Sequence, residues 1–169
     1  MEILNELIST YKDYPKEGID FKDVLEITQH PIIFKELILK MASSKIVTNA
    51  EALISIDARG FIFGSAISYQ VSKPMIFARK PGKLPGELIK KNTLEYGENS
   101  LSIQKKALHK YNSYAIVDDL LATGGTVNCV SKILEQNNKE VLGILVVVEL
   151  MKLDGKLKLN FPIESSITY

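Results

Sequence analysis

The run from Tyr114 to Thr126, Tyr-Ala-Ile-Val-Asp-Asp-Leu-Leu-Ala-Thr-Gly-Gly-Thr, sets two adjacent carboxylates between an apolar strand pattern and a small, hydroxyl-rich turn. Carboxylates accept hydrogen bonds from sugar hydroxyls or hold a metal, whereas backbone N–H groups at the start of a helix receive a dianionic phosphate. Asp118 and Asp119 offer the first chemistry, and the turn Thr123, Gly124, Gly125 and Thr126 the second. Together they have the layout of a phosphosugar receptor. Either half alone is ordinary punctuation, since Val-Asp-Asp before Gly-Gly also reads as a strand end, an N-cap and a flexible turn. The run has neither the lysine of a nucleotide P-loop nor the three-glycine spacing of a dinucleotide fold.

Four basic residues stand in comparable places. Ala52 to Ile56 ends in Asp57-Ala58-Arg59-Gly60, and Pro74 to Ala78 ends in Arg79-Lys80-Pro81-Gly82-Lys83. Arginine grips phosphate oxygens through two parallel donors, so these ends suit a second anionic group. Taken singly, each of the four also reads as a solvated side chain.

Positioning these residues on one edge requires a particular scaffold. The three apolar runs just named, with the continuous β-branched run Val141 to Val148, alternate with helical patterns over about Phe61 to Val71 and Val127 to Gln136. That alternation implies right-handed crossovers and an α/β fold with a central, mostly parallel sheet flanked by helices. Such sheets bind ligands outside the carboxyl ends of their strands, so Asp118 and Asp119 are expected at a mouth and not in a core. Nearer the N-terminus, Ile3, Leu4, Leu7, Ile8 and Tyr11 recur at helical spacing and predict one helix stopping before Tyr14-Pro15. Pro31 opens a second helix with Ile33, Leu37, Ile38, Met41 and Ala42 as its inner stripe. The polar interval Lys90 to Gln104 reads either as a solvated hairpin or as a lid. Lys152 to Tyr169 carries no motif.

Composition bounds the function classes. A chain of 169 residues with 46% apolar content fits a single domain, residues 1–169. With 21 basic against 20 acidic residues it has no global field for nucleic acid, and any anion site must be local. The one cysteine, Cys129, falls in the apolar register of the helix after Gly-Gly and reads as a buried thiol in a reducing compartment. Met1 to Tyr11 lacks the basic and apolar regions of a signal peptide, and no apolar run approaches the ~20 residues of a membrane span. A cytoplasmic protein is expected, with no nucleic-acid or membrane partner.

The Asp-Asp to Gly-Gly-Thr run resembles the 5-phosphoribosyl 1-diphosphate (PRPP) signature of type I phosphoribosyltransferases, and four further segments are similar to the adenine phosphoribosyltransferase family. These are Tyr14-Pro15-Lys16-Glu17-Gly18-Ile19-Asp20-Phe21-Lys22-Asp23, Asp57 to Gly64, Arg79 to Gly86, and Leu94-Glu95-Tyr96-Gly97. The chain departs from the family after Asp23, where Val24 to Thr28 runs without the usual proline, and at Lys22, where some members carry arginine.

The resemblance implies transfer of phosphoribose from PRPP to adenine, giving AMP and diphosphate in purine salvage. It also implies a type I phosphoribosyltransferase fold with a small N-terminal hood at about 14–28 and a flexible catalytic loop at about 90–104. By the same token Phe21 stacks on adenine with Asp20 and Lys22 beside it. Asp118, Asp119, Leu121, Ala122, Thr123, Gly124, Gly125 and Thr126 take the phosphoribose, while Arg59, Gly60, Arg79, Lys80 and Lys83 take the diphosphate. Glu95 is the expected acid/base group and Tyr96 a positioning residue, with Arg59 and Asp119 completing the catalytic set. Mg2+ is the expected cofactor, held by PRPP and water with no direct protein ligand, and a homodimer is the expected assembly. Another purine phosphoribosyltransferase on the same sheet is the nearest alternative. A PRPP-sensing regulator is a second, disfavoured by the lack of a basic stripe and the retained Glu95.

Overall fold

The computed structural model describes residues 2–90 and 100–169. Its elements, in chain order, are α1 (Glu2–Glu6), β1 (Ser9–Tyr11), β2 (Phe21–Asp23), α2 (Pro31–Ala42), α3 (Lys45–Asn49), β3 (Ala52–Ile56), α4 (Gly60–Val71), β4 (Met75–Ala78), β5 (Leu88–Lys90), β6 (Ser102–Gln104), α5 (Lys105–Leu108), β7 (Ser113–Leu121), α6 (Gly125–Gln136), β8 (Glu140–Glu149) and β9 (Ile163–Thr168). Short 3-10 segments occupy Leu25–Gln29, Met151–Leu153 and Gly155–Lys158.

Five strands form the central sheet in the order β4-β3-β7-β8-β9, every neighbouring pair parallel. β3 is buried along its whole length and β7 and β8 over most of theirs, which is why the sequence shows continuous apolar runs and not alternation. One face packs against α2, α3 and α4 through Leu37, Ile38, Val47, Phe63 and Ile67. The other packs against α6, α5 and β6 through Val130, Ile133, Leu134, Leu108 and Ile103.

From β3 the chain crosses over α4 to β4 on one side, and from β7 over α6 to β8 on the other. The strand order therefore reverses between β3 and β7. A crevice at the carboxyl ends of those two strands follows from that reversal, because the two connections leave in opposite directions.

The N-terminal expectation fails. α1 ends at Glu6, and Ser9–Tyr11 is a strand paired antiparallel with Phe21–Asp23. Five residues make a marginal helix, and burial of Leu4 and Ile8 with Val24 and Ile27 is satisfied as well by a strand pairing the local period cannot reveal. Two further elements have no marked period in the sequence: α3, whose cap Ser44 accepts a hydrogen bond from the Ile46 N–H at 3.0 Å, and β9. Among the described residues, no helix is long and apolar enough to cross a membrane.

Candidate functional site

The crevice opens where one ladder stops and its neighbour continues. β7 pairs with β3 only as far as Val117 opposite Ser55, but it stays paired with β8 to Leu121 opposite Glu149. The space left as the chain turns from β3 into α4 is a cavity of about 480 Å³, lined by Ile56 to Arg59 on one side and Asp118 to Val127 on the other.

The continuing ladder corrects the placement of the two carboxylates. Asp118 and Asp119 lie inside β7, at 8% and 6% exposure, and not beyond its end, although both line the cavity. Asp118 Oδ1 accepts a hydrogen bond from the Asp119 N–H at 2.9 Å. Burial first, and then the neighbouring Asp119 charge, raise the Asp118 carboxyl well above the usual carboxylate range, against the opposing pull of that hydrogen bond and of Arg59. A carboxyl so placed holds its proton to higher pH than an exposed one. Asp119 Oδ2 lies 2.6 Å from Arg59 Nε, yet the oxygen accepts no directed hydrogen bond. Charge proximity holds this pair, and the buried oxygen retains acceptor capacity at the cavity wall.

Glycine backbone shapes the cavity and its surroundings. Gly60 opens α4 against β7, where a Cβ would stand 2.8 Å from Asp118 Oδ1 and 3.1 Å from the Val117 carbonyl oxygen. Gly124 caps α6 at φ +74°, a conformation that favours glycine, and its carbonyl accepts from the Asn128 N–H at 2.9 Å. The first-turn N–H groups of Gly125, Thr126 and Val127 precede the helical ladder and carry the positive end of the helix dipole into the cavity.

A second cavity, of about 400 Å³, lies under the hood and is lined by Tyr11, Tyr14, Phe21, Asp23, Leu25 and Arg59. Tyr14 meets Phe21 edge-on at 5.3 Å between ring centres, and the Arg59 guanidinium sits 4.7 Å from the centre of the Phe21 ring. Arg59 thus lines both cavities and touches a carboxylate in one and an aromatic ring in the other.

Several expected residues fall elsewhere. Lys22 alternates with Phe21 on β2 and so points away from the hood cavity; its Nζ donates to Thr10 Oγ1 at 2.7 Å and stands 3.9 Å from the centre of the Tyr169 ring. Tyr169 in turn shares a 2.6 Å hydrogen bond with Asn5 Oδ1, so Lys22 fastens the hood to the end of β9. Asp20 is exposed and its side chain does not line that cavity. Arg79 contacts Asp57 Oδ2 through Nε at 3.0 Å, donates from Nη1 to the Lys83 carbonyl at 3.3 Å, and lies 5.6 Å from the Phe61 ring centre. It braces the Asp57 to Gly60 loop from behind. Lys80 and Lys83 are exposed and line neither cavity, so of the four basic residues only Arg59 joins the carboxylates and the turn. Glu95 and Tyr96 lie outside the described residues, between the antiparallel arms β5 and β6.

Two contacts have no signature in the sequence. Tyr169 gave no signal, because its partners Lys22 and Asn5 lie far away in the chain. Gly155 was visible only as a glycine in a motif-free segment; it is buried against Ala122 and Gly124.

The donor set fits magnesium only in part. Among the described residues, no group of three or more His, Cys, Asp or Glu could hold a metal ion. Magnesium usually keeps several waters and binds through one or two carboxylates plus substrate phosphates, and the uncommitted oxygen of Asp119 is compatible with that habit.

Comparison with known proteins gives one consistent family. The phosphoribosyl transferase domain family matches residues 23–164. The adenine phosphoribosyltransferase of Prochlorococcus marinus subsp. pastoris is 81% identical over 166 residues, 98% of this chain and 97% of that protein. The adenine phosphoribosyltransferase of Mycoplasmopsis synoviae is 40% identical over 98% of this chain and 99% of its own length. Among solved structures, the adenine phosphoribosyltransferase of Thermoanaerobacter pseudethanolicus superposes with a TM-score of 0.89 at 38% identity, covering 99% of each chain. The Saccharomyces cerevisiae enzyme, solved with adenine and an imino-altritol bisphosphate, gives 0.86 at 31% identity over 98% of this chain and 97% of its own.

Proposed function

The chain belongs to the adenine phosphoribosyltransferases of the phosphoribosyl transferase domain family and transfers phosphoribose from PRPP to adenine, and from that premise we propose how its residues divide the work. The observation that carries the assignment is Arg59 standing in the wall shared by a phosphate-accepting cavity and an aromatic one. One ligand with an anionic sugar and a flat base fits both.

In this reading the N–H groups of the turn Ala122 to Thr126 receive the 5-phosphate. Leu121 backs the turn from the core. Asp118 and Asp119 face the ribose hydroxyls, and their acidic wall favours the positive charge that develops at the anomeric carbon as diphosphate departs. Arg59 leaves its undirected contact with Asp119 for the diphosphate, while Gly60 lets the N-terminus of α4 pack closely against β7 beside the cavity. Arg79 holds the loop in place. Lys80 and Lys83 act on the diphosphate only by approaching from outside the cavity. Phe21 offers its face to adenine, and main-chain groups near Asp20 read the base edge. Glu95 is assigned the acid/base role and Tyr96 a positioning role, on the strength of the resemblance alone. Magnesium, if bound mainly by PRPP and water, would neutralise charge on the departing diphosphate, and the uncommitted oxygen of Asp119 is the protein group whose chemistry would suit it.

A cytoplasmic location is supported by the cysteine count, since a sequence with one cysteine, Cys129, builds no internal disulfide. A homodimer is supported by exposed Phe77 on β4, an edge strand, and Tyr69 on α4, and light scattering on the purified chain checks it. Steady-state assays with adenine, guanine, hypoxanthine and xanthine test the base. Turnover with adenine is expected, and turnover confined to an oxo-purine would overturn the reading.

A further inference from the structure

We propose that Gly155 is a positioning residue for the phosphate-binding turn, acting from a segment that contributes no side chain to either cavity. This inference rests on the phosphoribosyl reading of that turn.

Gly155 is buried in the middle of an exposed stretch; Lys152, Leu153 and Asp154 before it and Lys156, Leu157 and Lys158 after it all face solvent. Its φ lies outside the left-handed region, so its backbone shape does not call for glycine. Space does. A Cβ on Gly155 would collide with the Ala122 carbonyl oxygen and stand 2.9 Å from the Gly124 nitrogen. Conversely, a Cβ on Gly124 would stand 2.6 Å from the Gly155 carbonyl oxygen. The two glycines interlock backbone to backbone, one inside the turn and one behind it.

The direction of the contact gives it a consequence for binding. The Ala122 oxygen is nearer to Gly155 than the Ala122 carbonyl carbon is, so that carbonyl points backward, toward Gly155. In a trans peptide the C=O and the next N–H point opposite ways, and the Thr123 N–H is thereby aimed forward, to the side of the cavity that Thr123 lines. A side chain at Gly155 would push on that same peptide and tilt the donor away from the phosphate. Asp154, at φ +52°, and the Leu150 N–H bonded to the Leu121 carbonyl at 2.9 Å bring the segment back across the end of β7 to make the contact.

Gly155→Ala is expected to raise the KM for PRPP and the dissociation constant for ribose 5-phosphate by about tenfold, the scale of overpacking at a rigid contact, with the KM for adenine changed less than twofold. Leu157→Ala, an exposed neighbour, is the control and leaves all three constants unchanged. Equal loss toward PRPP and adenine, or no loss in a folded variant, would overturn the proposal. If wild-type protein itself fails to bind ribose 5-phosphate, the phosphoribosyl reading falls instead. Should Gly155→Ala not fold, amide hydrogen exchange on the wild-type chain decides. Saturating ribose 5-phosphate is expected to protect Gly155–Lys158 together with Gly124–Thr126. Protection confined to the turn would contradict the coupling.

Discussion

The phosphoribose half and the base half of the site are built from different materials. The first is backbone and buried carboxylate: Gly60, Gly124 and Gly155 allow main chains to approach, and Asp118 and Asp119 are locked in a ladder between β7 and β8. The second is side chain on a short two-stranded hairpin, with Tyr14 and Phe21 edge to face and a single lysine anchoring the hairpin to Tyr169. A phosphate is the same in every substrate of this chemistry and can be met by a rigid receptor. A base must be admitted, covered and released, which asks for a small element with few buried contacts. Arg59 belongs to both halves.

That shared position sets the largest expected effect. Arg59→Ala should lower kcat/KM by about 10²-fold or more, since it removes charge at the leaving group and a wall of both cavities. Both KM values should rise, and a defect toward adenine alone would place Arg59 in the base half only. Phe21→Ala comes next. Loss of a stacking face costs about 1–3 kcal/mol, so the KM for adenine should rise by about tenfold or more while that for PRPP stays near wild type. Equal changes in both would mean that the two halves are not separable.

Asp118→Asn separates stability from activity. A carboxyl whose folded pKa is raised takes up protons on folding, so its contribution is full at acid pH and is lost as pH rises through the raised value. The neutral amide avoids that loss. At pH 8 the variant should melt higher than wild type, by about 2–4 °C for each kcal/mol recovered, while turning over more slowly. The advantage should shrink as the pH falls and vanish below about 4, the ordinary Asp pKa, where the wild-type carboxyl becomes protonated in the unfolded state as well as the folded one. A variant that melts lower than wild type at pH 8 would contradict the buried, charge-strained placement. The smallest effect belongs to Lys22→Met, which removes a cation–π contact of about 0.5–1 kcal/mol at a partly exposed site and should raise only the KM for adenine, two- to fivefold. An unchanged KM for adenine would mean that the hood does not depend on Tyr169 for its placement.

The two halves also differed in how well the sequence announced them. The phosphoribose half is nearly contiguous: one run from Tyr114 to Thr126 holds strand, carboxylates, turn and helix start, and strand and helix periods are local properties. Only the length of β7 was misjudged, because Asp118 and Asp119 are polar yet paired to β8. The base half was legible as Phe21 and little more. Lys22 changed roles because strand alternation is invisible until β2 is known to pair with β1, and that pairing was hidden by a helical spacing of Ile3, Leu4, Leu7 and Ile8. Lys80 and Lys83 follow β4 as expected, but a strand end fixes the backbone and not where a long, exposed side chain points. Gly155 and Tyr169 act through contacts distant in sequence, and nothing in a motif-free segment marks such contacts.

A crystal structure of the chain with AMP bound tests the division most directly. The phosphate should rest on the N–H groups of Thr123 to Thr126, the ribose hydroxyls against Asp118 and Asp119, and the purine against Phe21, with Lys22 still turned toward Tyr169. A phosphate held by Lys80 and Lys83, or a purine seated away from Phe21, would contradict it.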